Sequence, residues 1–394
     1  MFARRTDWKL QENAYTRALR LRKQSGKPIL DLTASNPTAC GFDYDEAAIL
    51  AALQSPATLE YDPDPKGIAA ARAAVVAYYS GMNPAVRIDP ENLILTTGTS
   101  EACSFLFRLL CEPGDEIVVA EPSYPLFEFL ASIQDVHLRP FRLIYDHGWQ
   151  TDFHALEQAI TPRTRAILMV HPNNPTGHFI RSVEAGRLQS ICAGRSLALI
   201  VDEVFLDYKI PRLATGAAAH GTFAGSKGCL TFVLSGLSKI AALPQMKVGW
   251  IAASGPDALV RDALARLEII SDTYLSLSAP LQHALPSLLA QRTKLQPQLS
   301  SRIEMNLSRL DYALASQNLV SRLAFEGGWY AVLRVPAVQS DEELAIRLLE
   351  QHGVLVQPGH FYEFPEDGYL IVSLLTPTED FEKGIRVLLA CVAG

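Results

Sequence analysis

No stretch of this sequence approaches the roughly 18 consecutive apolar residues that a membrane-spanning helix needs, so no such span is expected. Cysteine is scarce: Cys40, Cys103, Cys111, Cys192, Cys229 and Cys391 are scattered, with no Cys-x-x-Cys pair. That spacing excludes a disulfide framework in a chain of 394 residues and points to a reducing cytoplasm. No metal site is expected. Cys103, Cys111 and Cys192 fall in amphipathic patterns, where cysteine packs as a small hydrophobe. Positive charge is also short. The net charge of -7 argues against a nucleic-acid backbone as the main partner. The opening Met1-Phe2-Ala3-Arg4-Arg5 lacks the apolar core of a signal peptide, and Asp7 and Glu12 follow too soon for a transit peptide. Internal repeats, charge blocks and low-complexity tracts are absent.

What is present is an ordinary globular composition, 48% hydrophobic and 20% charged, in a chain long enough for two domains. Short apolar runs at 93–97, 116–120, 137–141, 166–170, 198–202, 230–234 and 248–253 alternate with helical patterns. The expected fold is α/β: a large domain with a mostly parallel sheet of about seven strands flanked by helices, plus a smaller α+β domain. A helix over 100–111 should stop before Pro113-Gly114-Asp115. A long amphipathic helix is expected over 286–316, then a break at Gly327-Gly328. Strand-like 329–335, helix-like 341–352, strand-like 370–374 and a last helix from Thr378 complete the pattern. The division that follows is 46–285 for the large domain and 286–394 for the small one. Residues 1–45 are too few to fold alone and should pack on the small domain near the active-site mouth.

Three of the buried-type strands end in polar groups. Residues 166–170 run into His171-Pro172-Asn173-Asn174-Pro175-Thr176-Gly177, 198–202 ends in Asp202, and 230–234 leads through Ser235-Gly236-Leu237-Ser238 to Lys239. In an open α/β sheet such ends converge on one crevice. An amine that can form a Schiff base, a carboxylate that can keep a ring nitrogen protonated and an amide donor are the parts that a pyridoxal-phosphate site needs. Gly98-Thr99-Ser100 joins a strand to a helix, so the amides of Thr99 and Ser100 can cap a phosphate there. Glu203 follows Asp202 on the strand end and should point the other way, into a structural role.

Taken in order, Tyr61 with Gly67, Thr97-Gly98-Thr99-Ser100, Pro122-Ser123-Tyr124-Pro125, Asn174-Pro175-Thr176-Gly177, Asp202-Glu203, Ser238-Lys239, Lys247-Val248-Gly249-Trp250 and Pro358-Gly359 resemble a fold type I pyridoxal-phosphate enzyme of the class I/II aminotransferase group. The likeness runs from about Asp31 to about Thr376. It implies pyridoxal 5'-phosphate as cofactor, with Lys239 as Schiff-base lysine and proton carrier. Asp202 would pair with the pyridine nitrogen, Asn174 would donate to the phenolic oxygen, and Tyr124 would stack on the ring. Gly98, Thr99, Ser100, Ser238 and Lys247 would hold the phosphate, although Lys247 stands where the family usually has arginine and lacks its bidentate fork. The resemblance also implies a homodimer in which Tyr61 reaches the partner's phosphate.

The likeness breaks in places. The family tyrosine that would hydrogen-bond the phenolic oxygen is Phe205 here, so one donor is lost and the imine should hold its proton more tightly. Gly236 replaces a frequent serine, for which Ser235 or Ser238 could compensate. The family's carboxylate-binding arginine falls on Ile371 in Gly368-Tyr369-Leu370-Ile371-Val372-Ser373. A carboxylate buried without a cation is costly. Either Arg4, Arg5 or Arg22 brings the charge from an N-terminal lid, or the substrate lacks that carboxylate. Phe2, Trp8, Tyr274, Trp329 and Tyr330 would suit an apolar or amine substrate at the mouth.

The expected function is transamination by a ping-pong mechanism, from an amino acid or amine to an oxo acid. The alternative is β-elimination, of the C–S lyase type, on the same scaffold. A cofactor-binding regulator would need an added basic DNA-binding domain, for which too few residues remain.

Overall fold

The computed structural model describes residues 1–213 and 219–393. Among these residues, eight strands form the main sheet. They are β1 (Leu93–Thr96), β2 (Glu116–Glu121), β3 (His137–Tyr145), β4 (Trp149–Thr151), β5 (Thr164–Val170), β6 (Ala198–Asp202), β7 (Thr231–Gly236) and β8 (Gly249–Ser254). Their spatial order is β1-β8-β7-β6-β5-β2-β3-β4. The β2, β3, β5, β6 and β7 pairings are parallel, whereas β8 runs antiparallel to both β7 and β1. Strands β1, β2, β5, β6 and β7 therefore end at one edge, and β8 begins there. The registers Val170 with Asp202, Gly236 with Gly249 and Thr96 with Gly249 bring those ends level.

Strands β6, β7 and β8 are buried at every residue, as expected for a sheet covered on both faces. Side chains alternate between two cores: Leu199 and Val201 belong to one, Ala198 and Ile200 to the other. The seven expected strands are all present. The sheet has one more, β4, which continues a β3 that runs past Phe141 to Tyr145 and turns back. Three residues are too few to carry a readable alternation.

A second sheet, Ser321–Arg322, Tyr330–Arg334, Tyr369–Ser373 and Gln357–Pro358 in that spatial order, packs with helix Asp341–Arg347, while helix Thr378–Ala393 packs on Arg292–Leu314 and on Leu30–Asp31. The single helix expected over 286–316 is instead two, Ala279–Ala290 and Arg292–Leu314, separated at Gln291. The first starts after Ser278 with Pro280 in its opening turn, so Pro286 is an interior residue and not a start signal.

The N-terminal segment lies on this second unit. Leu30–Asp31 pairs in parallel with Val354–Leu355. The Tyr15 hydroxyl donates to the Val356 carbonyl at 2.7 Å, and Ser373 donates to the Ala34 carbonyl at 2.6 Å. Among the described residues no helix is long and apolar enough to cross a membrane.

Candidate active site

A cavity of about 410 Å³ opens where the strand ends meet. Its lining includes Gly98, Thr99, Ser100, Tyr124, Asn174, Asp202, Phe205, Ser238, Lys239 and Lys247, so ten of the residues singled out from the sequence share one wall system. Tyr61 does not line it. It is 84% exposed and borders a second cavity with Asp62, Gly67 and Ser276.

Lys239 sits in a single helical turn, Leu237–Ile240, that starts directly after β7. Its carbonyl accepts from the Tyr208 hydroxyl at 2.7 Å, which fixes the turn. Its ammonium lies 4.8 Å from the centroid of the buried Trp329 ring and 5.5 Å from that of Phe205. Burial pushes the amine down to about 8, against the opposing pull of Asp202. Asp202 is pushed up to about 6, again mainly by burial. The Val204 N–H, 3.1 Å from its carboxylate, the Thr99 hydroxyl and Lys239 act against that rise. An amine that gives up its proton more readily than usual thus shares the cavity with a buried carboxylate that holds its proton more tightly than usual.

At the rim, the helix Thr99–Leu110 begins after Gly98, and its first two residues line the cavity, where an N-terminus leaves amides without intrahelical partners. A Cβ built on Gly98 would lie 3.6 Å from the Lys247 ammonium. The helix N-terminus and that cation therefore flank the same small space, which is the charge arrangement a phosphate requires. Gly249 closes the floor of this rim, because a side chain there would stand 2.8 Å from the Gly98 Cα.

The wall opposite Lys239 comes from the second unit. Tyr362 donates to the Gln357 side-chain carbonyl at 2.7 Å, and Ser35 hydrogen-bonds the Tyr330 hydroxyl. All four residues line the cavity. Ser35, Gln357 and Tyr362 were not singled out from the sequence; the neighbouring Pro358-Gly359 was the only nearby signal.

Other expectations at the mouth fail. Arg5 pairs with Asp135, and Arg22 donates to the carbonyls of Glu350 and Pro28. Neither they nor Arg4 line the cavity, whose lining holds no arginine among the described residues. The first residues instead lie along helix Leu126–Ile133, with Trp8 against Phe129 and Ser132. Phe2 is exposed, and Tyr274 stacks on Phe105 beside Arg108. Of the expected aromatics, Tyr330 lines the cavity and Trp329 backs Lys239. Ile371 is fully buried between Val332 and Gln357 in its sheet. Gly236 has no room for a side chain, since a Cβ would meet the Val248 carbonyl at 2.6 Å. Ser238 lines the cavity, whereas Ser235 is buried outside it. Glu203 does turn away: it accepts from the Thr222 hydroxyl at 2.5 Å and the Phe223 N–H at 2.6 Å.

These residues fit pyridoxal 5'-phosphate. The buried Asn174 carries a side-chain oxygen with no partner, so its amide is free to turn toward a ring substituent. The amine, the carboxylate and the phosphate-binding rim occupy separate parts of one cavity.

Comparison with known proteins agrees. Residues 27–388 match the family described as aminotransferase class I and II. The alanine aminotransferase of Mycobacterium tuberculosis is 27% identical over 92% of this chain and 85% of its own. The glutamate-pyruvate aminotransferase AlaA of Escherichia coli is 24% identical, covering 94% and 92%. The arginine–pyruvate transaminase AruH of Pseudomonas aeruginosa is 27% identical with the same coverage, 94% and 92%. The solved alanine aminotransferase of Pyrococcus furiosus shares the fold over 100% of both chains, with a TM-score of 0.85 at 23% identity. With the family matched across nearly the whole sequence and the cavity suited to its cofactor, this chain belongs to the class I and II aminotransferases and is a pyridoxal-phosphate-dependent transaminase.

Proposed function

We propose that amino transfer takes place in the Lys239 cavity, with Lys239 as covalent anchor and proton carrier. One juxtaposition supports this most. A lysine pushed toward neutrality and a buried aspartate end neighbouring strands, facing a helix N-terminus that has a second ammonium beside it. When bound, pyridoxal 5'-phosphate supplies an aldehyde that takes up the amino group and a ring that draws electrons from the substrate's α-carbon.

The chain's own residues then divide the work. Lys239 Nζ, neutral in part near pH 8, accepts and returns a proton. Asp202 keeps a proton on the ring nitrogen. Asn174 orients the ring through its side-chain amide, and Tyr124 covers one face. The amides of Thr99 and Ser100, the Ser238 hydroxyl and the Lys247 ammonium bind the phosphate. Phe205 contributes an apolar surface and no hydroxyl. The wall of Ser35, Tyr330, Gln357 and Tyr362 is uncharged, so a substrate carboxylate lying against it would meet neutral donors.

Relatives named for pyruvate make that oxo acid the first acceptor to try. We further propose a cytoplasmic homodimer. The six cysteines are unpaired, and the exposure of Tyr61 and Leu59, 84% and 90%, supports a subunit contact there.

Two variants test the assignment in cofactor-loaded enzyme given an amino donor and pyruvate. Asp202→Asn should retain cofactor while turnover falls by a factor of about 10²–10⁴. Lys239→Ala should leave no cofactor that borohydride can fix to the chain. An unchanged rate removes Asp202 from its role, and a fixed cofactor moves the anchor to another lysine. Release of pyruvate and ammonia from a cysteine conjugate, without amino transfer, would favour β-elimination.

A further inference from the structure

Two cations line the cavity at Lys239, and both are engaged in the proposed reaction: Lys239 as anchor, and Lys247 beside Gly98 at the phosphate rim. Among the described residues the lining holds no arginine and no histidine, and Asp202 is its only acid. The part contributed by the second unit and the N-terminal segment, Ser35, Tyr330, Gln357 and Tyr362, carries no charge.

Sheet register singles out one of these four. Gln357 lies opposite Ile371, and Ile371 opposite Val332, in antiparallel pairs. Side chains of directly opposed residues share a face, and so do those two apart along a strand, so Tyr330 belongs to that face as well. Tyr330 and Gln357 line the cavity, whereas Ile371 and Val332 are buried and do not. The row that crosses the sheet from Val332 through Ile371 is hydrocarbon, and it ends in one polar side chain, Gln357, on the edge strand.

That side chain is held from two sides. The Tyr15 hydroxyl donates to the Val356 carbonyl at 2.7 Å, which ties down the backbone just before it. The hydroxyl of the buried Tyr362 donates to the Gln357 side-chain carbonyl at 2.7 Å. With that oxygen engaged, the amide nitrogen is the free end. Among the described residues it meets no protein partner and is not sealed from solvent. Both members of the Gln357–Tyr362 bond line the cavity, so a neutral N–H donor stands at its surface.

A neutral donor reads its partner differently from a cation. A carboxylate enclosed by neutral donors loses hydration that they replace poorly, whereas an uncharged acceptor such as a carboxamide has less to lose. The hydrogen bond to a neutral donor is also weaker than one in which both groups are charged. Such a site selects for an acceptor and discriminates little by its charge. We propose that Gln357, positioned by Tyr362, is the specificity-determining residue on the substrate side, and that amino donors whose reacting carbon carries an uncharged acceptor, amino-acid amides foremost, are used on a par with free amino acids. This specificity rests on the reading of the Lys239 cavity as the place of amino transfer.

Three compounds separate recognition from transfer, because none has a hydrogen on the carbon that bears the amine: α-methylalanine, its carboxamide, and tert-butylamine, which has a methyl group in place of the acceptor. Each is titrated against cofactor-loaded enzyme by calorimetry and by cofactor absorbance, at equal concentrations of unprotonated amine. The acid and the amide should bind within about tenfold of each other, and each about two- to tenfold more tightly than tert-butylamine, the scale of one neutral hydrogen bond. Gln357→Leu should remove that margin for acid and amide alike and leave tert-butylamine unchanged. Gln357→Arg should raise the acid over the amide by about tenfold to a hundredfold, the scale of a charge-assisted bond. Tyr362→Phe should weaken acid and amide in the wild type and change neither in the Gln357→Leu background, a dependence that a merely structural role lacks. Melting curves show that the variants are folded, and the wild-type comparison needs no variant. As donors to pyruvate, L-2-aminobutyrate and its amide should differ in kcat/KM by less than about tenfold. Failure of both to react, with the binding order intact, counts against the transfer reading and leaves the recognition by Gln357 standing. A wild-type preference for the acid over the amide of more than about tenfold, in binding or in kcat/KM, shows that a cation reads the carboxylate and overturns the proposal. Unchanged binding of acid and amide in Gln357→Leu overturns it too.

Discussion

Asp202 and Glu203 are consecutive residues with opposite fates, and the difference is strand geometry. Side chains alternate across a strand end, so Asp202 faces the cavity and Glu203 faces the packed loop that holds Thr222 and Phe223. Both carboxyls titrate high because both are buried, Glu203 at about 8. That value gives a test of its structural role. An unfolded chain releases the Glu203 proton near 4.5, whereas the folded chain holds it to about 8. Folding is therefore favoured by Glu203 below the lower value, and that contribution is lost as pH rises through the window. Glu203→Gln carries no titrating proton and can still accept from the Phe223 N–H. Its thermal stability relative to wild type should thus improve on going from pH about 5 to about 8.5, by about 1 kcal/mol or more, given about 1.4 kcal/mol for each tenfold change in proton affinity. Melting curves at the two pH values measure it; a constant gap would show that Glu203 is ionised throughout. The division between these neighbours was legible in the sequence because alternation is local. So were Lys239, Asp202 and Asn174, each at the end of its own apolar run. Gln357, Tyr362 and Ser35 were not, because they reach the cavity from segments whose arrangement depends on the packing of the second unit.

Among the elements, β8 does most to shape the rim. It enters antiparallel between β1 and β7, so its first residue, Gly249, lies opposite both Thr96 and Gly236. A Cβ there would stand 2.8 Å from the Gly98 Cα and 3.0 Å from the Ser235 carbonyl oxygen. Both contacts are backbone, which cannot rotate away. Gly249→Ala should therefore push β8 from its neighbours, costing about 1–3 kcal/mol, the usual range for overpacking. The same displacement moves Gly98 relative to Lys247, so cofactor affinity should fall along with melting temperature. Gly148→Ala is the control, since nothing lies within 4 Å of its Cβ position. Equal melting temperatures and cofactor affinities in the two variants would mean that the rim tolerates a wider spacing. The strand itself was readable as an apolar run, but its antiparallel entry was not: direction is set by the short connection through Pro244–Met246, not by hydrophobic pattern. Likewise the pair Ala279–Ala290 and Arg292–Leu314 reads as one helix from periodicity, because a break of one residue barely disturbs the apolar phase.

At the scale of the whole molecule, one candidate site residue stands apart from the rest. Tyr61 is 84% exposed and outside the lining of its own chain's cavity, although the residues around it match the family in order. Leu59 beside it is 90% exposed, and Leu50 is 60% exposed in a neighbouring helix. Large apolar side chains so exposed suit a face between subunits. If Tyr61 completes the phosphate site of a partner, each site of a homodimer is built from two chains, and lesions in Lys239 and Tyr61 can be separated between them. Lys239→Ala homodimers should be inactive, and Tyr61→Phe homodimers should bind cofactor more weakly, by about tenfold for one lost hydrogen bond to a charged group. When the two are unfolded and refolded together, a two-fold assembly yields mixed dimers. In a mixed dimer one site receives Lys239 from the Tyr61→Phe chain and Tyr61 from the Lys239→Ala chain, and is native. The other site has both lesions. An equal mixture should thus make about a quarter of all sites native, and activity at limiting cofactor should rise above the average of the two parents. If Tyr61 acts within its own chain, or the protein is a monomer, no native site can form, and the mixture will show only that average. Sedimentation of the mixture separates those two outcomes, since a dimer has twice the 43.2 kDa of one chain.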